Sequence, residues 1–184
     1  MFARFIKIFL PLVFAITFAA GLTYIIAQQD LRVGANDPQI QMALDLSNKL
    51  ATGVNAKTLV DSANTIDIAG NLNTFVIVYD ENGKVISSSG ILDGKFPTPP
   101  MGVFDHAKVT GQDRVTWQPK SGVRIAAVVN SFDGKSKGYV LVGRNLMEVE
   151  KRESTVALKV GISWLAGIFG AFILSLFLKL IKEK

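Results

Sequence analysis

The chain holds a single histidine, His106, and no cysteine. That composition removes thiolate catalysis, disulfides and cysteine-based zinc sites. A metal site would have to be built from carboxylates, and no clustered spacing suggests one. No HExxH, GxSxG, P-loop or GxGxxG pattern is present. Asp80-Glu81 and Asp133 fall in turn-forming stretches, where turn chemistry explains them. The expectation is a protein without enzymatic activity and without a cofactor. Two other patterns carry physical meaning. Ala15, Ala19 and Thr23 recur every four residues in one apolar run, and Ser163, Gly167, Ala171 and Ser175 do so in another. Positions i and i+4 share a helix face, and small side chains let backbones approach closely in lipid. These stripes either pack the two runs together or build a homodimer. Against that stands the general abundance of small residues in membrane spans.

The runs themselves are long. No charge occurs from Ile8 to Ala27, nor from Val160 to Leu178. About 20 apolar helical residues cross a hydrocarbon core roughly 30 Å thick. The chain therefore divides into a cytoplasmic N-terminus (1–7), a first transmembrane helix (8–27), an extracytoplasmic domain (28–153), a membrane-entering helix with the second span (154–178) and a cytoplasmic tail (179–184). The net charge of +5 resides at the two ends. Between Gln28 and Glu153, basic and acidic residues are equal in number. The pI of 9.5 thus describes membrane flanks and gives no sign of nucleic-acid binding. Basic termini stay in the cytoplasm by the positive-inside rule. Tyr24 and Trp164 would then anchor both spans at the outer interface. The first run could instead be a cleaved signal peptide, but it is longer than the usual 7–15-residue core.

Between the spans, a linker from Asp30 to Asn36 precedes a helix with Asp37 as N-cap and Pro38 at its first position. Gly53 would stop that helix. One or two short helices are expected at Lys57–Ala63 and Ile66–Leu72. Strands are expected at Phe75–Tyr79 and Lys84–Ser89, joined by an Asn-Gly turn. A proline- and glycine-rich loop and a short helix, Val103–Val109, come next. Three further strands read as Arg114–Gln118, Arg124–Val129 and Tyr139–Gly143. The result is an α+β domain, a five-stranded antiparallel sheet with flanking helices on one side, inserted between the two spans. From Arg144 to Leu178 no proline interrupts a continuous helical reading. That helix would be a stiffer connection than the Gly34 and Asp37-Pro38 junction, serving either transmission or mere tethering.

Phe75–Tyr79, Asp80–Gly83 and Lys84–Ser89 resemble the start of a PAS-like or Cache-like extracytoplasmic sensor domain. The stretches Arg114–Pro119, Gly122–Val128 and Gly138–Arg144 are similar to outer domains of bacterial membrane histidine kinases. The similarity covers about Ala35 to Glu153 and rests on structural patterns. It implies a location in a bacterial cytoplasmic membrane. Only Lys179–Lys184 follow the second span, and no phosphoacceptor region or nucleotide-binding glycine boxes are present. Kinase activity is therefore not carried over. The resemblance also implies a small-ligand pocket on the concave side of the domain. Arg124, Trp117, Tyr79, His106 and Arg144 are its candidate lining residues, because an arginine beside aromatic rings suits a carboxylate or other anion. Each has a plainer role available. Tyr79 and Trp117 suit core packing, His106 an exposed or capping position, and Arg144 a partner for a carboxylate at a helix start. The leading expectation is a sensory or ligand-binding module acting through a partner membrane protein such as a kinase. The alternatives are an assembly module that docks an envelope protein, and a truncated sensor-kinase remnant.

Overall fold

Phe75–Tyr79 is β-branched or aromatic at every position, and all five side chains are buried. A strand of that kind cannot leave either face to water. The computed structural model describes residues 2–34 and 37–181, with side chains from residues 5 and 38 onward. It divides into two units. One comprises residues 1–32 and 150–184, the other residues 33–149.

The second unit contains the sheet. Its strands are a two-residue β1 (Ile66–Asp67), β2 (Phe75–Tyr79), β3 (Val85–Ser88), a two-residue β4 (Gly90–Ile91), β5 (Gln112–Lys120), β6 (Val123–Asp133) and β7 (Lys137–Asn145), of which β2, β3, β5, β6 and β7 form the main sheet. The five-stranded order is β3-β2-β7-β6-β5, antiparallel throughout. β1 and β4 pair separately in parallel. This is the α+β, five-stranded antiparallel architecture that the strand pattern calls for.

The helices correct one expectation, since they cover both faces of the sheet. α2 (Asp37–Ala51) and α3 (Ala56–Leu59) bring Ala43, Leu46, Leu50, Ala56 and Val60 against Val76, Val78, Val128, Val140 and Val142. On the other face, α4 (Met101–Thr110) places Phe104 against Tyr79 and Tyr139, with ring centroids 4.9 Å apart in each pair. Alternation along each strand sends odd-numbered residues of β2, β6 and β7 to α4 and even-numbered ones to α2. With both faces apolar, a single helical layer would have left half the core exposed.

Two local readings also change. Ile66–Leu72 is not helical. Asp67 Oδ1 accepts from Ala69 N at 3.0 Å and Asn71 Oδ1 accepts from Asn73 N at 2.8 Å, which turns the chain instead. The linker is shorter than expected, because α1 (Phe2–Gly34) continues through Asp30–Gly34. Ala35 and Asn36, and the side chain of Asp37 expected to cap α2, lie outside the described residues. The Asp80–Gly83 turn forms as read. Asp80 Oδ1 accepts from Asn82 N and Lys84 N, both at 2.9 Å, and Gly83 adopts φ +77°.

In the first unit, α1 packs along α5 (Met147–Ile181). Both are long and apolar enough to cross a membrane. Trp164 Nε1 donates to Thr17 Oγ1 at 2.9 Å, and Phe172 meets Phe5 and Phe9 edge-on. Gln28 bonds Glu153, and Arg32 lies 3.3 Å from the same carboxylate. Trp164 is therefore level with Thr17 rather than with Tyr24, about 10 Å further along α1 at 1.5 Å per residue. The two aromatic anchors do not share one level.

The Phe75 ring sits between two glycines. A Cβ on Gly143 would lie 2.5 Å from its Cζ, and one on Gly90 would lie 2.8 Å from its Cδ2. Gly143→Ala is expected to destabilise the domain by about 1–3 kcal/mol through overpacking, measured as a lowered Tm of the full chain in detergent. On the opposite face, Gln39 is fully buried, and neither of its amide atoms has a hydrogen-bond partner among the described residues. A near-isosteric Gln39→Met should raise the same Tm, because an orphaned buried amide costs about 1–3 kcal/mol.

Candidate functional site

The loop between β4 and α4 supplies the proline cluster Pro97, Pro99 and Pro100. Proline has no backbone N–H, so such a loop cannot join the sheet, and it has to be fastened by other groups. Its fastening is Tyr79. That side chain is buried beneath the loop and donates its hydroxyl to Pro97 O at 2.9 Å. Burial pushes the Tyr79 hydroxyl far above the ordinary tyrosine range, and a hydrogen bond with Thr98 opposes that shift. At the loop's start, Leu92 and Lys95 exchange backbone hydrogen bonds of 2.9 and 3.0 Å.

Beside the loop runs the end of β5. Trp117 is buried there, paired across the sheet with Ile125. Register shifts between Trp117 and Lys120, and Pro119 falls in this irregular stretch on the edge strand. The two segments enclose an open surface groove of about 720 Å³, with Leu92, Pro97, Pro99 and Pro100 on one wall and Trp117 and Pro119 on the other. Asp93 and Lys120 form an ion pair across it at 2.8 Å. Both partners are half exposed, so the pair adds only about 0–1 kcal/mol. It puts a pair of opposite charges beside the prolines and Trp117 in the groove lining, to which Lys95 contributes a further cation.

The five ligand candidates do not converge on one site. Trp117 lines the groove and Tyr79 holds its loop from below. Arg124 projects from the α2 face of β6, because its neighbours Val123 and Ile125 point to the α4 face. Arg144 lies on that α2 face too. Its Nε donates to Leu72 O at 3.2 Å, and Glu148 lies 3.8 Å away, which is the helix-start pairing considered for it. His106 is exposed on α4, with Nδ1 3.1 Å from Asp113 Oδ1. An arginine-plus-aromatic anion site is therefore not assembled from these residues.

The transmembrane stripes are divided as well. Gly167 faces Ile16, and Ala171 and Ser175 are buried in the helix pair. Ala15, Ala19, Thr23 and Ser163 lie on exposed faces. The half-buried face of α1 instead runs through Ile16, Ala20, Tyr24 and Gln28.

A second cavity of about 200 Å³ lies at the β6–β7 turn, between Glu81, Lys108, Asp133, Lys137 and Tyr139. Burial raises the Tyr139 pKa, and the nearby Asp105 and Glu81 raise it further. Among the described residues no group of acidic and histidine side chains could hold a metal ion.

Comparison with protein-family models, curated proteins and solved structures finds no match. Sequence reading found Trp117 but missed the loop opposite. Three prolines within four residues, with a fourth just after Trp117, were the available signal.

Tyr79→Phe removes the bond to Pro97 O and should cost about 0.5–1.5 kcal/mol at neutral pH. The pKa also fixes a direction in alkali. A tyrosine whose folded pKa is raised contributes stability that is complete below its unfolded pKa of about 10 and is lost as pH rises toward the folded value. Thermal melts of the wild type should fall progressively above about pH 10, and Tyr79→Phe should flatten part of that decline.

Proposed function

We propose that this chain is a membrane-anchored extracytoplasmic sensory or ligand-binding module that acts through a partner membrane protein, with the Trp117–proline groove as its receiving site. The observation that carries the reading is the groove. Its volume of about 720 Å³ falls in the range of small-molecule sites, and its lining sets Trp117, Leu92 and the prolines beside the polar Asp93, Lys95, Thr98, Gln118 and Lys120. A PAS-like or Cache-like identity is supported by the five-stranded antiparallel sheet with flanking helices. Membrane anchoring is supported by two helices of sufficient length and apolarity, and the outward placement of the domain by its balanced charge between basic flanks. The receiving residues in this reading are Trp117 and the loop that Tyr79 secures. Arg124, Arg144 and His106 have no part in it.

The shape of the same groove favours a second reading. It opens broadly at the surface, and Phe104, Tyr79 and Tyr139 fill the space between α4 and the sheet. A shallow, proline-walled groove above a packed core suits an extended segment of an envelope protein. Homodimer formation through the exposed Ala15, Ala19 and Thr23 stripe is compatible with either reading.

The test is a thermal-shift screen of the full chain in detergent against organic anions, amino acids and sugars, repeated with Trp117→Ala. A ligand at about 100 times its Kd adds roughly 2.7 kcal/mol of stability. A Tm rise that disappears in Trp117→Ala supports sensing. No shift, together with a specific protein adduct from a photo-crosslinker at Gln118, supports docking. Failure of both experiments would sink both readings.

A further inference from the structure

Asn145 is the last residue of β7 and is buried, yet its side chain is fully used. Its Nδ2 donates to Ile68 O at 2.7 Å and to Ala69 O at 3.0 Å. Its Oδ1 accepts from Met147 N at 2.8 Å, the first residue of α5. One amide thus grips the segment after β1 with one end and the start of the terminal helix with the other. The N–H groups of a first helical turn have no partner within the helix, and Asn145 supplies one for Met147.

The segment that Asn145 grips is itself tied to the groove loop. Ile68 N donates to Ile91 O at 3.0 Å, and Ile66 N donates to Ser89 O at 2.8 Å, which forms the parallel β1–β4 pair. Ser88 Oγ secures the same corner by donating to Gly90 O at 2.7 Å. The residue after Ile91 is Leu92, which lines the groove and bridges to Lys95. The corner has little room to adjust by itself, because Gly90 is pressed against Phe75 and Ile68. An unbroken run of hydrogen bonds therefore leads from the groove wall through β4, β1 and Asn145 to the first N–H of α5.

We infer that Asn145 is a positioning residue that couples the groove loop to the start of α5, so that a change at the loop alters how firmly the first turn of that helix is held. The inference rests on the groove being the input site. It assigns the output within the domain to the β7–α5 junction. A displacement at Leu92 that strains the β1–β4 pair would move the Ile68 and Ala69 carbonyls. Asn145 would then keep either those carbonyls or the Met147 N–H, but not all three in good geometry.

The test is a double-mutant cycle on the full chain in detergent, read by hydrogen–deuterium exchange of residues 147–150 relative to the centre of β6. It needs no ligand, so its failure is separate from a failed ligand screen. Pro97→Gly loosens the groove loop without removing the carbonyl that Tyr79 uses. It is expected to speed exchange of residues 147–150 about fivefold, as loss of roughly one hydrogen bond would. In an Asn145→Ala background the same change should have no further effect. Equal acceleration in both backgrounds, or none in the wild type, would overturn the coupling. Asn145→Ser, whose shorter side chain cannot span both grips, gives the same cycle if the alanine variant fails to fold.

Discussion

Two-sided burial of the central strands is the constraint from which the rest of the domain follows. β2 and most of β6 and β7 carry side chains that water cannot be allowed to reach on either face. Burying each such side chain contributes about 1.5–3 kcal/mol, but only if something covers it. The sequence before β2 supplies α2 and α3 for one face, and the long connection between β4 and β5 supplies α4 for the other. The proline loop is part of that second cover. It lies where it does because α4 must be delivered across the sheet, and Tyr79 secures it because that face ends in aromatic rings. The groove is thus the seam between a covering layer and an edge strand.

Much of this was legible from residue types. Runs of β-branched and aromatic residues mark the strands, and the Asn-Gly turn fixes the first hairpin. β2 also shows, by its lack of alternation, that both faces are buried, though the helices were assigned to a single side. What the chain does not reveal locally is the relative parity of distant strands. Arg124 lies between apolar Val123 and Ile125, and Trp117 between polar Thr116 and Gln118, and neither pattern says which layer its strand's faces meet. Only the pairing of Trp117 with Ile125 sends the indole to α4 and Arg124 to α2. The dispersal of the five ligand candidates follows from that register. Ile66–Leu72 departs from its helical pattern for a different reason. Its apolar residues carry helical spacing, but Asp67 and Asn71 capture nearby backbone N–H groups and bend the chain.

The helix pair illustrates the same limit in an apolar setting. Small residues at four-residue spacing lie on more than one side of α1, so spacing alone cannot say which side meets α5. Ile16 fills the gap left by Gly167, while Trp164 finds its acceptor in Thr17. A bulky residue against a glycine and one side-chain hydrogen bond set the register. Between helices this apolar the indole N–H has few other side-chain acceptors, so such a bond specifies alignment even where its net energy is modest.

The end of α2 has a consequence for how the molecule comes into being. Its last carbonyls are taken by the β6–β7 turn: Lys135 N donates to Ala51 O at 2.9 Å, and Ser136 Oγ donates to Leu50 O at 2.6 Å. Gly134 lies so close that a Cβ there would be 2.4 Å from Ala51 O. The partners of α2 are therefore made some eighty residues after it, as is β7, the strand that sits beside β2. During synthesis α2 must wait, its apolar face uncovered, until nearly the whole domain has left the ribosome. Closure and the emergence of α5 then fall almost together. Such non-local pairing is slow to form. In this chain the last strand to arrive is also the one that completes the centre of the sheet.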